Sequence, residues 1–120
     1  MPRILIVEDE GRIAALLERG LRRYGFETEV SATGDDGLQR LLEAEFDLCL
    51  LDLRLPGKNG LDVLSEARAG GVTLPIMILS AWCDRETRTT SLARGANDVV
   101  DKPFEFKDLL ARIQSQLTSP

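Results

Sequence analysis

The strongest constraint in this sequence is a hydrophobic period that passes from strand to helix spacing five times in succession. Arg3-Ile4-Leu5-Ile6-Val7 is a short β-branched run that ends in acid, the composition of a strand buried on both faces. From Gly11 to Tyr24, Ile13, Leu16, Leu17 and Leu21 recur at helical spacing, and Gly25 supplies a stop. Phe26, Thr28 and Val30 alternate with Glu27 and Glu29, which predicts a half-exposed strand at a sheet edge. A second helix over Asp35 to Glu45 places Leu38, Leu41 and Leu42 on one face. The pattern then repeats. Leu48-Cys49-Leu50-Leu51 is a central strand stopping at Asp52, a Pro/Gly loop covers Leu53 to Asn59, and a third helix over Gly60 to Ala69 turns Leu61, Val63 and Leu64 inward. Pro75 to Leu79 is the fourth strand, Asp84 to Arg94 the fourth helix, and Val99-Val100 a short fifth strand. The last helix, Glu105 to Leu117, places Leu109, Leu110, Ile113 and Leu117 on its inner face.

Strands separated by helices require parallel pairing, right-handed crossovers and helices on both faces of one sheet. The expectation is therefore an α/β, doubly wound, five-stranded parallel sheet in one domain over 1–117, with 118–120 as the start of a linker. Composition removes whole classes of function. The chain has no histidine, which excludes Ser–His or Cys–His nucleophile activation, histidine metal ligation and a phosphohistidine of its own. Twenty acidic against fifteen basic side chains, a net charge of −5, argue against a free-standing nucleic-acid binder. Two cysteines make neither a metal pattern nor a disulfide scaffold, and Cys49, inside an apolar run, reads as a small hydrophobe. No apolar stretch reaches the roughly 18 residues that span a membrane, and the N-terminus lacks a signal-peptide pattern, so a cytoplasmic location is expected.

In an open parallel sheet, ligands bind beyond the carboxyl ends of the strands. Glu8, Asp9 and Glu10 follow the first strand, Asp52 the third, Ser80 the fourth and Lys102 the fifth. Each has a plain role when taken singly: a solvated acidic helix start, a turn cap, a strand-end hydroxyl, a surface lysine. Together, at successive strand ends, they point to one site. Clustered carboxylates repel unless a cation is present, and oxygen ligands without histidine or thiolate favour a hard ion, Mg²⁺ being the simplest. With the ammonium of Lys102 and the hydroxyl of Ser80, these are the parts of an electrostatic clamp on a transferring phosphoryl group. Asp52, alone at the end of the central strand, is the carboxylate left to act as nucleophile.

Val7-Glu8-Asp9, Leu51-Asp52-Leu53-Arg54-Leu55-Pro56-Gly57, Leu79-Ser80-Ala81 and Asp101-Lys102-Pro103-Phe104 resemble the receiver domain of two-component response regulators over essentially the whole chain. Gly95-Ala96-Asn97-Asp98 is similar to the winged-helix transcription-factor branch of that family. The resemblance implies the flavodoxin-like strand order 2-1-3-4-5. It implies that Asp52 is phosphorylated by a sensor histidine kinase, that Asp9 touches Mg²⁺ directly and Glu8 through water, and that position 54 lends a backbone carbonyl, leaving the Arg54 side chain unconstrained. Lys102 would bind a phosphoryl oxygen, the Lys102–Pro103 peptide would be cis, and Ala81 would leave room for the phosphoryl group. The chain would then be a phosphoacceptor that assists its own phosphorylation and slow dephosphorylation, not a turnover enzyme. Ser80 would draw in its loop and reshape the face made by the fourth helix, fifth strand and fifth helix. That face would pair two copies through Arg88 with Asp108 and Asp98 with Arg112, and DNA would be contacted only through an output domain outside this sequence.

Two positions depart from the family. Val99 stands where most relatives carry a switching aromatic ring, and Trp82 follows Ser80 by two residues. Trp82 and Arg54 are expected to flank the phosphoryl group and hinder the attacking water. Rival functions fit poorly. A haloacid-dehalogenase-type phosphatase needs an aspartate where Arg54 stands, and an FMN carrier needs a phosphate-cradling loop where Glu8-Asp9-Glu10 would repel one.

Overall fold

A computed structural model of the chain describes residues 2–81 and 84–118. Five strands, β1 (Arg3–Val7), β2 (Glu27–Ser31), β3 (Leu48–Asp52), β4 (Ile76–Ser80) and β5 (Asp98–Asp101), alternate with five helices. The helices are α1 (Gly11–Arg23), α2 (Gly34–Glu43), α3 (Gly60–Ala69), α4 (Arg85–Ala93) and α5 (Phe106–Thr118). All pairings are parallel and the order is β2-β1-β3-β4-β5, so the half-exposed β2 lies at an edge as its alternation predicts. β3 and β4 each run one residue beyond the apolar run, ending on Asp52 and Ser80 themselves, and α5 takes in Thr118.

The strict alternation of each strand divides the core in two. Leu5, Val7, Cys49, Leu51, Ile76, Ile78 and Val99 pack with Leu38 and Leu41 of α2 and with Val63 and Leu64 of α3. Ile4, Ile6, Leu48, Leu50, Met77, Leu79 and Val100 pack with Leu17 and Leu21 of α1 and Leu109 and Ile113 of α5. Because the central strands are enclosed on both sides, truncating Leu50 to alanine is expected to cost about 2–5 kcal/mol. Cys49 is fully buried and its thiol is pushed up to about 12 by burial, which fits a small hydrophobe.

Three inward assignments need correction. Leu16 and Leu42 are 54% and 50% exposed, and Leu61 is half-buried. On α1 the sheet receives Ala14, Leu17 and Leu21, a stripe that leaves Leu16 on its flank. On α2 it receives Leu38, Leu41 and Gly37, while Gly34 is buried against the loop before α3. Those glycines set how closely α2 sits, since a Cβ on Gly34 would lie 1.7 Å from the Lys58 carbonyl oxygen and one on Gly37 2.8 Å from Val7.

Candidate functional site

Positions 8, 52 and 102 continue the side-chain parity of Ile6, Leu50 and Val100 beyond or at the strand ends, so three polar groups emerge on one side of the sheet's carboxyl rim. Gly60 opens α3 directly beneath. A Cβ there would meet the Asp52 carbonyl oxygen at 2.3 Å, so only glycine lets α3 start this close to β3. The result is an open cleft of about 620 Å³ lined by Glu8, Asp9, Glu10, Gly11, Asp52, Arg54, Ser80, Ala81 and Lys102.

The charges in it are unevenly held. Glu8 and Asp52 are buried, at 2% and 7% exposure, while Asp9 is exposed. Lys102 Nζ lies 2.6 Å from Glu8 Oε1 and 3.2 Å from Asp52 Oδ2, bridging the two buried acids. Glu8 Oε2 accepts from the Glu10 N–H at 3.2 Å and Asp52 Oδ1 from the Arg54 N–H at 3.4 Å. Burial pushes the Glu8 carboxyl up, against the downward pull of Lys102 and the Glu10 N–H, and the neighbouring Asp52 pushes it further. For Lys102, burial acts downward, but Glu8 and Asp52 together outweigh it and raise the ammonium.

Carboxylate oxygens of Glu8, Asp9 and Asp52 all lie within 4.8 Å of one another. Three carboxylates against one ammonium leave two negative charges, with Glu10 and Arg54 at the rim offsetting each other. An all-oxygen donor set with that deficit fits a hard divalent cation.

The structure therefore brings Glu8, Asp9, Asp52, Arg54, Ser80, Ala81 and Lys102 together. Ser80 is buried at β4's end, and its carbonyl accepts the Lys102 N–H at 2.9 Å. The Lys102–Pro103 peptide is cis. Val99 lies inside the core at 1% exposure, away from the cleft. Trp82 lies outside the described residues. Arg88, Asp98, Asp108 and Arg112 stand apart on α4, β5 and α5, and within one chain Arg112 pairs with Asp98 at 3.1 Å and with Asp108 at 3.2 Å. Arg88 lies 3.6 Å from Asp101 of the same chain.

Two contributors escape sequence reasoning. The Glu8–Lys102 ion pair joins residues 94 apart, and nothing local in the sequence signals it. Gly60 had a signal in its place just after the Pro/Gly loop, but read only as a helix start.

Comparison with known proteins agrees with this geometry. A profile of the response regulator receiver domain matches residues 4–114. The chain is 41% identical to the transcriptional regulatory protein DltR of Streptococcus agalactiae over 112 residues, 93% of this chain and 50% of DltR. It is 40% identical to the response regulator ArlR of Staphylococcus aureus over 117 residues, 98% of this chain and 53% of ArlR. The chain thus spans about half the length of the curated relatives it matches. Among solved structures, a CheY-like receiver domain protein from Methanospirillum hungatei superimposes with a TM-score of 0.93 at 31% identity, covering 98% of this chain and 94% of the other. TrrA of Thermotoga maritima, solved in complex with Mg²⁺ and BeF, superimposes at 0.88 with 32% identity, covering 98% of this chain and all of TrrA. The acid-and-lysine cleft, the 2-1-3-4-5 sheet and the match over nearly the whole chain have one conclusion: this chain belongs to the response-regulator receiver domain family.

Proposed function

We propose that Asp52 accepts a phosphoryl group from the phosphohistidine of a sensor histidine kinase, and that the phosphorylated chain switches an output. The observation that carries this reading is the convergence of Glu8, Asp9, Asp52 and Lys102 on one cleft. An oxygen of Asp52 attacks phosphorus, the P–N bond breaks, and its electron pair returns to the kinase imidazole. When bound by Glu8, Asp9, Asp52 and the Arg54 carbonyl, Mg²⁺ supplies the positive charge that the three carboxylates lack.

The chain's own groups do the rest. The Arg54 N–H and Lys102 hold the Asp52 carboxylate at the cleft floor, and Lys102 leaves Glu8 to meet a phosphoryl oxygen. The Ser80 hydroxyl donates to another oxygen, and the small Ala81 leaves space. Arg54, with Trp82, flanks the product and slows its hydrolysis; decay in Trp82→Ala at or below the wild-type rate would remove that role. Since the matched relatives are transcriptional regulators, the output is transcription, exerted through a DNA-binding region beyond this sequence, in the cytoplasm. The α4–β5–α5 face pairs two phosphorylated copies, and an unchanged sedimentation coefficient at high concentration with beryllofluoride would refute the pairing.

The direct test is incubation with acetyl phosphate and Mg²⁺. An acid-stable, base-labile mass increase is expected on Asp52, absent in Asp52→Asn and with EDTA. Labelling that persists in Asp52→Asn would overturn the assignment.

A further inference from the structure

The loop over 53–59, between β3 and α3, has no regular structure, yet it is held at several points along its length. At its start the Arg54 N–H donates to Asp52 Oδ1 at 3.4 Å, and the Gly60 N–H donates to the Leu53 carbonyl at 2.9 Å. Leu53 and Leu55 pack against the core shared by α2 and α3, which leaves Arg54 between them on the exposed side. Asn59 closes the loop by accepting the Asp62 N–H at 3.0 Å, and Lys58 Nζ pairs with Glu66 at 2.6 Å.

The middle of the loop rests on the first turn of α2, and glycine permits that approach from both sides. Gly34, the first residue of α2, donates its N–H to the Pro56 carbonyl at 3.3 Å. A helix-end donor with no partner inside the helix thus finds one in the loop. A Cβ on Gly34 would lie 1.7 Å from the Lys58 carbonyl oxygen and 2.7 Å from its carbonyl carbon, backbone atoms that no rotamer change can move aside. From the loop's side, a Cβ on Gly57 would lie 2.4 Å from Asp35 Oδ2, and Gly57 holds φ +75°, a region that favours glycine. One turn farther along α2, Gly37 faces the sheet instead. A Cβ there would meet Val7 Cγ1 and Cγ2 of β1, each at 2.8 Å.

The ligands ascribed to the cleft differ in how far they can adjust. Glu8, Asp9 and Asp52 offer side-chain oxygens, which rotamers can redirect. The Arg54 carbonyl goes only where the chain goes, and Arg54 precedes the Pro56 contact by two residues. We propose, on the metal reading of the cleft given above, that Gly34 is a positioning residue for the cation: the seat it gives the loop fixes where the Arg54 carbonyl stands. Helix α2, which supplies no ligand, is thereby coupled to the cation site through backbone contact alone. The coupling is reciprocal, so a bound cation firms the Gly34–Pro56 contact in turn.

The test is Mg²⁺ titration calorimetry on variants shown to be folded by circular dichroism. Gly34→Ala is expected to weaken Mg²⁺ binding about tenfold or more, the scale for residues that orient metal ligands. Gly37→Ala, which presses the same helix against Val7, is expected to bind Mg²⁺ within about twofold of wild type even where it unfolds more easily. Unchanged affinity in Gly34→Ala, or equal losses in the two variants, overturns the positioning role. Should Gly34→Ala fail to fold, amide exchange in the wild-type chain decides. Mg²⁺ is expected to slow exchange of the Gly34 amide more than that of the Ala44 amide, which closes the far end of α2 on the Arg40 carbonyl. Equal slowing, or none at Gly34, overturns the proposal. Asp9→Asn isolates the underlying reading, since it removes a ligand and leaves the loop's seat intact. If Asp9→Asn binds Mg²⁺ like wild type, or wild type binds none, the cation site fails and the proposal with it. A loss in Asp9→Asn beside full affinity in Gly34→Ala fails the positioning role alone.

Discussion

The two ends of the sheet carry clefts of similar size that hold their charges differently. The carboxyl-end cleft measures about 620 Å³, and a groove at the amino end, lined by Arg3, Glu45, Phe46, Asp47 and Leu74 among others, about 580 Å³. At the amino end charges are exposed and shared out. Arg3 donates to the Glu45 carbonyl at 2.8 Å, pairs with Glu29 and lies 4.8 Å over the Phe46 ring, while its N–H donates to Asp47 at 2.7 Å. Arg40 extends the chain of pairs to Glu29 at 2.8 Å and Asp36 at 3.1 Å. At the carboxyl end two buried acids share one ammonium. Cleft volume therefore does not distinguish a site from a seam; a buried imbalance of charge does.

Lysine removal gives the largest expected effect. In EDTA, Lys102→Met strands Glu8 and Asp52 without their cation and is expected to cost about 3 kcal/mol, the scale for breaking a buried ion pair from one side. Arg3→Met, among half-exposed partners, is expected to cost below about 1 kcal/mol. Urea unfolding of both variants checks the contrast, and equal losses would erase it.

Metal addition comes next. Mg²⁺ at about 100 times its dissociation constant is expected to stabilise the wild-type chain by about 2.7 kcal/mol. Asp9→Asn, which removes the exposed ligand without touching the Lys102 bridge, is expected to lose most of that gain while unfolding like wild type in EDTA. Thermal melts with and without Mg²⁺ read both. A full Mg²⁺ response in Asp9→Asn would place the cation elsewhere.

The sheet, its order and the residues at its carboxyl rim are legible because each depends on local pattern: β-branched runs, strand alternation and the polar residue that stops each run. What depends on distant partners is not legible. Leu16 and Leu42 carry the right spacing for burial, yet which side of an apolar stripe meets the sheet is set by Ala14 and Gly37, residues too small to register as hydrophobic signals. Lys102 is legible as a site residue, but its seat on Glu8 is not, since the two meet only when β1 and β5 are folded into one rim. Arg68 reads as an ordinary helical arginine, and its five bonds appear only when the loops after α3 and α4 converge on it.

The smallest expected effect is in pH dependence, and its sign separates this rim from an ordinary set of paired acids. A carboxylate stabilised by folding has a depressed pKa and loses its contribution as pH falls. Glu8 is shifted the other way, above 4.5, because burial and Asp52 outweigh Lys102 and the Glu10 N–H. Just above 4.5 the folded chain therefore holds a proton at Glu8 that the unfolded chain has released, so this group's contribution falls as pH rises through the folded value. Lys102, shifted above 10.5, contributes fully below that pH and loses its contribution only above it, so it does not mask the Glu8 effect near neutrality. Glu8→Gln removes the titration and keeps one acceptor oxygen, enough for Lys102 or for the Glu10 N–H but not for both, because these bond different oxygens of Glu8. In EDTA, wild type is thus expected to lose stability relative to Glu8→Gln as pH rises above 4.5. Mg²⁺, by favouring the ionised carboxylate, is expected to flatten or reverse the trend. A difference that grows in favour of wild type with rising pH in EDTA would mean that Lys102 already satisfies Glu8, leaving the two rims alike in kind.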